Sequence, residues 1–170
     1  MLRAGGCAMQ LEPAQIGWQI INDGVMGGLS LSTFSLDDQG LHFSGSLSTE
    51  NAGGFASIRG SLAAPVSRFT AIRLSLTGDG RRYQLRLRET ADSGDIAWRA
   101  SFDTSGARET ILLATRDFEP VFRGRRIEAL PGLADREMHY LGFMLASSRE
   151  GAFALSIHTI ETTEAARCRA

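Results

Sequence analysis

The strongest constraint in this sequence is the alternation of apolar and polar residues with a period of two. In residues 82–88 the apolar side chains occupy every second position, and the polar ones between them are Arg82, Gln84, Arg86 and Arg88. Residues 41–47 and 72–76 alternate in the same way. Such strands have one buried and one solvated face, which is typical of an antiparallel sheet covered on one side. The pattern predicts a chain built mainly from half-buried strands.

Turn signals separate these runs and indicate the fold class. Further strands are predicted at residues 56–59, 98–102, 110–113, 140–145 and 153–160, and turns at residues 37–40, 51–54, 78–80, 92–95 and 150–151. The turn at 78–80 (Gly-Asp-Gly) is interpreted as a hairpin between two alternating strands. Helical spacing is confined to a short turn at 133–138 and a terminal helix at 163–169. Many short strands that need two packed layers predict an all-β protein, a jelly-roll β-sandwich.

The length of 170 residues fits one domain. We predict an N-terminal extension at residues 1–15, a single β-sandwich domain at 16–162 and a C-terminal tail at 163–170. No secretion signal or apolar run of transmembrane length is visible, so we expect a cytoplasmic protein without membrane insertion.

Charge and composition restrict the class of partner. The net charge of −1 makes a nucleic-acid-binding role unlikely. All 18 basic residues are Arg and none is Lys. Codon usage in a GC-rich bacterial genome explains this bias, and the alternative is a set of bidentate anion contacts.

Motifs for catalysis are missing from the sequence. The three His residues lie far apart without metal-ligand spacing, and no Gly-x-Ser-x-Gly element precedes a helix. The glycine-rich segment 23–28 is followed by a β-prone stretch, whereas a phosphate-binding loop leads into a helix. We therefore predict no enzyme activity, no cofactor and no metal site.

Several motifs together resemble the complex I intermediate-associated protein 30 family. They are Trp-Gln-Ile-Ile-Asn-Asp-Gly-Val-Met-Gly-Gly-Leu-Ser at residues 18–30, Asn-Ala-Gly-Gly-Phe-Ala-Ser-Ile-Arg at 51–59, Gly-Asp-Gly-Arg-Arg-Tyr at 78–83, Phe-Glu-Pro-Val-Phe-Arg-Gly-Arg at 118–125 and Gly-Ala-Phe-Ala-Leu at 151–155. Their order holds from about Trp18 to Ile160. The resemblance implies a galactose-binding-domain-like jelly roll, and a role like that of family members that assist assembly of respiratory complex I without being enzymes.

The motif loops supply the candidate binding residues, because binding side chains concentrate in loops. These are Asn22, Asp23, Asn51, Asp79, Arg81, Tyr83, Arg123 and Arg125, which we expect to meet near one end of the sandwich. The favoured function is a chaperone-like, protein-binding module, with complex I subunits or assembly intermediates as the partner that the resemblance implies. The alternative is a carbohydrate-binding module that holds a small glycan in the same loops and stacks Trp98, Tyr140 or Tyr83 on sugar rings. A third interpretation is purely structural, with glycines and capping side chains that fix difficult corners of the fold.

Overall fold

A computed structural model describes residues 7–22, 28–50, 54–91, 96–122, 125–127, 133 and 136–164, and the described residues form two antiparallel sheets. The strands of sheet A are β1 Cys7–Gln10, β3 Leu31–Asp37, β4 Gly40–Leu47, β6 Phe69–Thr77, β9 Arg108–Ala114 and β13 Gly151–Glu164. Those of sheet B are β2 Gly17–Asn22, β5 Phe55–Val66, β7 Arg82–Arg88, β8 Ala97–Asp103, β10 Glu119–Phe122, β11 Arg125–Arg126 and β12 Met138–Ala146. Two short 3-10 turns, Pro13–Gln15 and Thr115–Asp117, complete the regular structure of this part of the chain.

Strand order places late strands in the middle of both sheets. Sheet A runs β3-β4-β13-β6-β9, and β1 pairs with the far end of β13. Sheet B runs β11-β10-β8-β7-β12-β5-β2. β1 lies within the segment predicted as an extension, residues 1–15, and forms part of sheet A.

The core lies between the two sheets and follows the alternation of the sequence. On β7, Tyr83, Leu85 and Leu87 are buried while the residues between them face outward. Their register partners on β12 and β8 are also apolar, so each inward row continues across sheet B. Burial of apolar surface on both inner faces is the main force that holds the sandwich together.

The all-β jelly-roll prediction is confirmed, and each predicted strand lies within an observed one. Strands β1, β2, β10 and β11 were missed, and β3 was noted only as a β-prone stretch. These strands are short or lie at the sheet edges, where alternation is weak. The predicted helix at 163–169 is wrong at its start, because Thr163 and Glu164 continue β13.

The hairpin predicted at residues 78–80 is wrong. β6 belongs to sheet A and β7 to sheet B, so this turn carries the chain from one sheet to the other. The alternation on either side was identified correctly, but alternation does not specify which strands pair. β6 finds its neighbours in β9 and β13, and β7 finds its neighbours in β8 and β12.

Candidate functional site

The crossing between the sheets at residues 78–83 is held by the carboxylate of Asp79. Its Oδ2 accepts hydrogen bonds from the Tyr83 hydroxyl at 3.0 Å and from the Ala154 backbone N–H at 2.8 Å. Oδ1 accepts from the Arg81 backbone N–H at 3.1 Å. The β6 ladder along β13 ends at Ser156, so Asp79 supplies an acceptor to β13 just beyond that point. Asp79 thereby ties the crossing segment to the middle strand of sheet A.

Arg81 is 8% exposed and its guanidinium is directed at backbone carbonyls. Its two terminal nitrogens donate to the carbonyls of Arg149, at 2.8 Å, and Glu150, at 3.1 Å. The hydroxyl of Thr104 donates to the Arg81 carbonyl at 2.7 Å, and a Cβ at Gly78 would lie 2.3 Å from the Thr104 Cβ. Only glycine at position 78 permits this close approach. The crossing segment is therefore fastened to the turn that precedes β13.

Tyr83 is fully buried, and burial together with the adjacent Asp79 carboxylate raises the pKa of its hydroxyl above the ordinary range. A phenol in this environment stays neutral, and its hydroxyl donates a hydrogen bond to Asp79. Asp79, Arg81 and Tyr83 thus come together as predicted from the sequence. Within the described residues, the hydrogen bonds of this group are made to the protein itself.

Of the other predicted site residues, Asn22 and Arg125 are described, and both lie on sheet B. Asn22 lies at the end of β2, where its side-chain amide accepts from the Ser32 hydroxyl at 2.7 Å and donates to the Ser30 carbonyl at 3.4 Å. Asn22 pairs with Ala56 at the same end of the sheet as Tyr83. Asp23, Asn51 and Arg123 lie outside the described residues.

Arg125 lies apart from this group. It pairs with Phe122 in the hairpin of β10 and β11, where Val121 is opposite Ala97. Ala97 is five residues along β8 from Phe102, the partner of Tyr83, which corresponds to about 17 Å of strand. The structure therefore does not bring Arg125 to the end of the sandwich that holds Asp79, Arg81 and Tyr83.

The outer face of sheet B carries a transverse row of arginines that sequence reasoning did not select. In register across five neighbouring strands stand Arg59 of β5, Gly142 of β12, Arg86 of β7, Arg99 of β8 and Glu119 of β10. We call Arg59, Arg86 and Arg99 the arginine row. Arg88 lies two residues further along β7 on the same face.

The three guanidinium groups of the row have different partners. Arg99 forms an ion pair with Glu119 at 2.5 Å, and Arg59 donates to the Ala91 carbonyl at 3.1 Å. Arg86 contacts the sulfur of Met144 at 2.9 Å, and its buried Nε has no hydrogen-bond partner among the described residues. Burial, followed by the charges of Arg88, Arg99 and Arg59, lowers the pKa of Arg86 to about 10. Burial also lowers the pKa of Arg59.

One signal for this row was present in the sequence. Alternation alone assigns the polar face of β7 to solvent, although three of its four residues are arginine. Whether such residues form a cluster depends on which strands lie beside β7. The strand order β8-β7-β12-β5 and its register determine which strands lie beside β7.

The histidines and acidic residues of the described chain are dispersed. No group of three or more His, Cys, Asp and Glu side chains in this part of the chain is placed to hold a metal ion. His42 contacts Ser156 and Asp37, and His158 contacts Thr77 and the Gln39 carbonyl, so each is engaged separately on sheet A. No helix among the described residues is long and apolar enough to cross a membrane.

Comparison with protein families identifies the chain. The model of the family described as complex I intermediate-associated protein 30 matches residues 9–157. The chain belongs to this family. In this family member, the motif at residues 78–83 forms the crossing between the sheets, and Thr104 and Gly151 lie against it.

Several solved structures of the same fold are carbohydrate-binding modules. The family 11 module of the cellulase Lic26A-Cel5E of Clostridium thermocellum is 15% identical, with a TM-score of 0.63, and the match covers 95% of this chain and 97% of that one. A family 29 module is 7% identical with a TM-score of 0.58, covering 92% and 91%. The xylan-binding module CBM86 of Roseburia intestinalis is 8% identical with a TM-score of 0.56, covering 95% and 98%. At these identities the likeness establishes the galactose-binding-like jelly roll and no more. A search of curated proteins found no significant match.

Proposed function

We propose that this protein is a non-enzymatic, chaperone-like interaction module that binds a protein partner during assembly of respiratory complex I. The observation that carries the proposal is the family match over residues 9–157. The candidate partners are complex I subunits or assembly intermediates. We place this role in the cytoplasm of a bacterial cell.

The residues that join the two sheets are separate from the arginines on the outer face of sheet B, and this separation supports a binding role. Asp79, Arg81 and Tyr83 use their polar atoms to join the two sheets, so this part of the family signature maintains the fold. The outer face of sheet B carries Arg59, Arg86 and Arg99, which the core does not require. A surface of this kind suits recognition of a charged partner.

The fold likeness to carbohydrate-binding modules supports a second candidate function, the binding of a glycan. Aromatic side chains would have to stack on the sugar rings. Tyr83 is fully buried, and Trp98 is 4% exposed with the Arg136 guanidinium 5.3 Å from the centre of its ring. Of the three aromatic candidates, Tyr140 on the outer face of β12 is the one that remains partly exposed. Because only one of the three aromatic candidates is accessible for stacking, glycan binding is the second candidate function.

Deletion of the gene in its source organism tests the first function. We expect less assembled complex I in membranes, measured by native gel electrophoresis and by NADH:ubiquinone activity, and recovery when the gene is restored. Affinity capture of the protein followed by mass spectrometry should then enrich complex I subunits. Normal complex I content in the deletion strain would contradict the proposal. Specific binding on a glycan array, lost in Tyr140→Ala, would support the second function instead.

A further inference from the structure

The arginine row brings like charges together without neutralising them. Arg86 and Arg99 are directly opposite each other on adjacent strands, and like charges in such pairs destabilise a sheet. Glu119 is paired with Arg99 and with Arg126, at 2.5 and 3.5 Å. Among the described residues, Arg86 makes no ion pair. The row therefore retains a net positive charge.

Three other arginines of the chain each pair with a carboxylate. Arg73 on sheet A pairs with Glu161, Arg82 with Asp103 and Arg136 with Glu89. Each of these guanidinium groups has its own carboxylate. Arg86 differs from these three arginines in having no carboxylate partner among the described residues.

The two outer arginines of the row stand about as far apart as residues i and i+4 of an extended polypeptide, and Arg86 lies closer to Arg99 than to Arg59. Adjacent strands lie about 4.8 Å apart, so Arg59 and Arg99, separated by three strand intervals, stand about 14 Å apart at the backbone. Side chains at alternate positions of an extended chain share one face, and residues i and i+4 are about 13 Å apart. Gly142 lies between Arg59 and Arg86 in this row and adds no side chain to the face.

We propose that the arginine row binds an acidic segment of the protein partner, which lies in extended form across strands β5, β12, β7 and β8. Carboxylates of that segment face Arg59, Arg86 and Arg99. Arginine recognises a carboxylate through two parallel hydrogen bonds. This inference rests on the proposed protein-binding function and specifies its site and the chemistry of its partner.

A protein segment fits this face better than a nucleic acid or a glycan. The chain as a whole has a net charge of −1, so long phosphate backbones are repelled outside the row. Among the described residues, Tyr140 is the aromatic side chain that borders the row on this face. It stands opposite Arg88 and offers at most one surface for stacking. A short run of carboxylates can be bound by the arginines of the row alone.

The test uses two labelled peptides, one alternating Glu and Ser and one alternating Gln and Ser, titrated against the full chain by fluorescence anisotropy. We expect the acidic peptide alone to bind at about 50 mM salt, and to bind more weakly at about 200 mM. Arg86→Gln should lower its affinity about tenfold or more. Arg73→Gln, a matched control on sheet A, should change it less than about twofold. Glu119→Gln should raise the affinity, because it releases Arg99.

Three results would overturn the inference. Equal losses in Arg86→Gln and Arg73→Gln, with both variants folded by circular dichroism, would indicate general charge attraction. Stronger binding of oligogalacturonate, an acidic sugar chain, would assign the row to a glycan. Complex I content distinguishes the inference from the function it rests on. If the gene deletion lowers complex I and Arg86→Gln restores it fully, the function stands and this site is wrong.

Discussion

Replacing Arg86 by Met should stabilise the protein. Met keeps an unbranched apolar stem but lacks the charged guanidinium. Burial, followed by the charges of Arg88, Arg99 and Arg59, lowers the pKa of Arg86 well below its ordinary value, to about 10. One pKa unit corresponds to about 1.4 kcal/mol, so the charge costs the folded state at most about 3 kcal/mol. Water screens part of this cost, since the side chain is only partly buried.

The expected gain in the free energy of unfolding is about 1–2 kcal/mol, which raises the melting temperature by roughly 3–6 °C for a chain of this size. Urea unfolding followed by tryptophan fluorescence measures it. The gain should shrink as salt is added, because repulsion among arginines is screened. Arg82→Met is the control. Arg82 is exposed and pairs with Asp103 at 3.6 Å, so its replacement should change stability by less than about 0.5 kcal/mol.

Arg86→Lys separates charge from shape, because it keeps the charge and should give no gain. The reasoning is refuted if Arg86→Met lowers stability by more than about 1 kcal/mol, or if Met and Lys behave alike. In the first case the guanidinium stabilises sheet B. A variant that is more stable yet fails to bind the acidic peptide would show that the charge is kept for function at a cost in stability.

Three further predictions concern the core and the crossing between the sheets. Leu85→Ala should cost about 2–4 kcal/mol because Leu85 is fully buried in the core, and a urea melt showing less than about 1 would mean that the face of β7 is misassigned. Arg81→Met removes the donors to the carbonyls of Arg149 and Glu150 and should cost about 2–4 kcal/mol, whereas an unchanged melting temperature would assign Arg81 to partner binding instead. Above about pH 10 the unfolded chain loses the tyrosine proton that folded Tyr83 retains, so stability falls as pH rises. Tyr83→Phe should make that fall shallower in urea melts between about pH 9 and pH 11, and an identical slope would contradict the buried, neutral hydroxyl.

The part of the fold that depends on single strands could be predicted from the sequence. Tyr83, Leu85 and Leu87 alternate with polar residues, and this period of two identified both the strand and its buried face. The prediction that Asp79, Arg81 and Tyr83 lie together also follows from their closeness along the chain. Each of these inferences needs only local sequence.

Partners distant in sequence could not be predicted in this way. Asp79 accepts from the backbone of Ala154, and no pattern near residue 79 indicates that strand. The hairpin error at 78–80 has the same origin, because a Gly-Asp-Gly turn looks alike whether the chain returns to the same sheet or crosses to the other. The arginine row is distributed over β5, β7 and β8, so it exists only once their register is known.

The position of the last two strands affects how this chain can fold as it is synthesised. β12 separates β5 from β7, and β13 separates β4 from β6. While the first 130 or so residues leave the ribosome, β4 to β7 therefore present edges whose neighbours do not yet exist. Sheet A then consists of two unconnected pieces, β3 with β4 and β6 with β9, until β13 enters between them. Pairings between such distant residues form slowly. A nascent chain of this topology must be kept from aggregating until its final strands arrive, even if the finished protein itself assists the assembly of others.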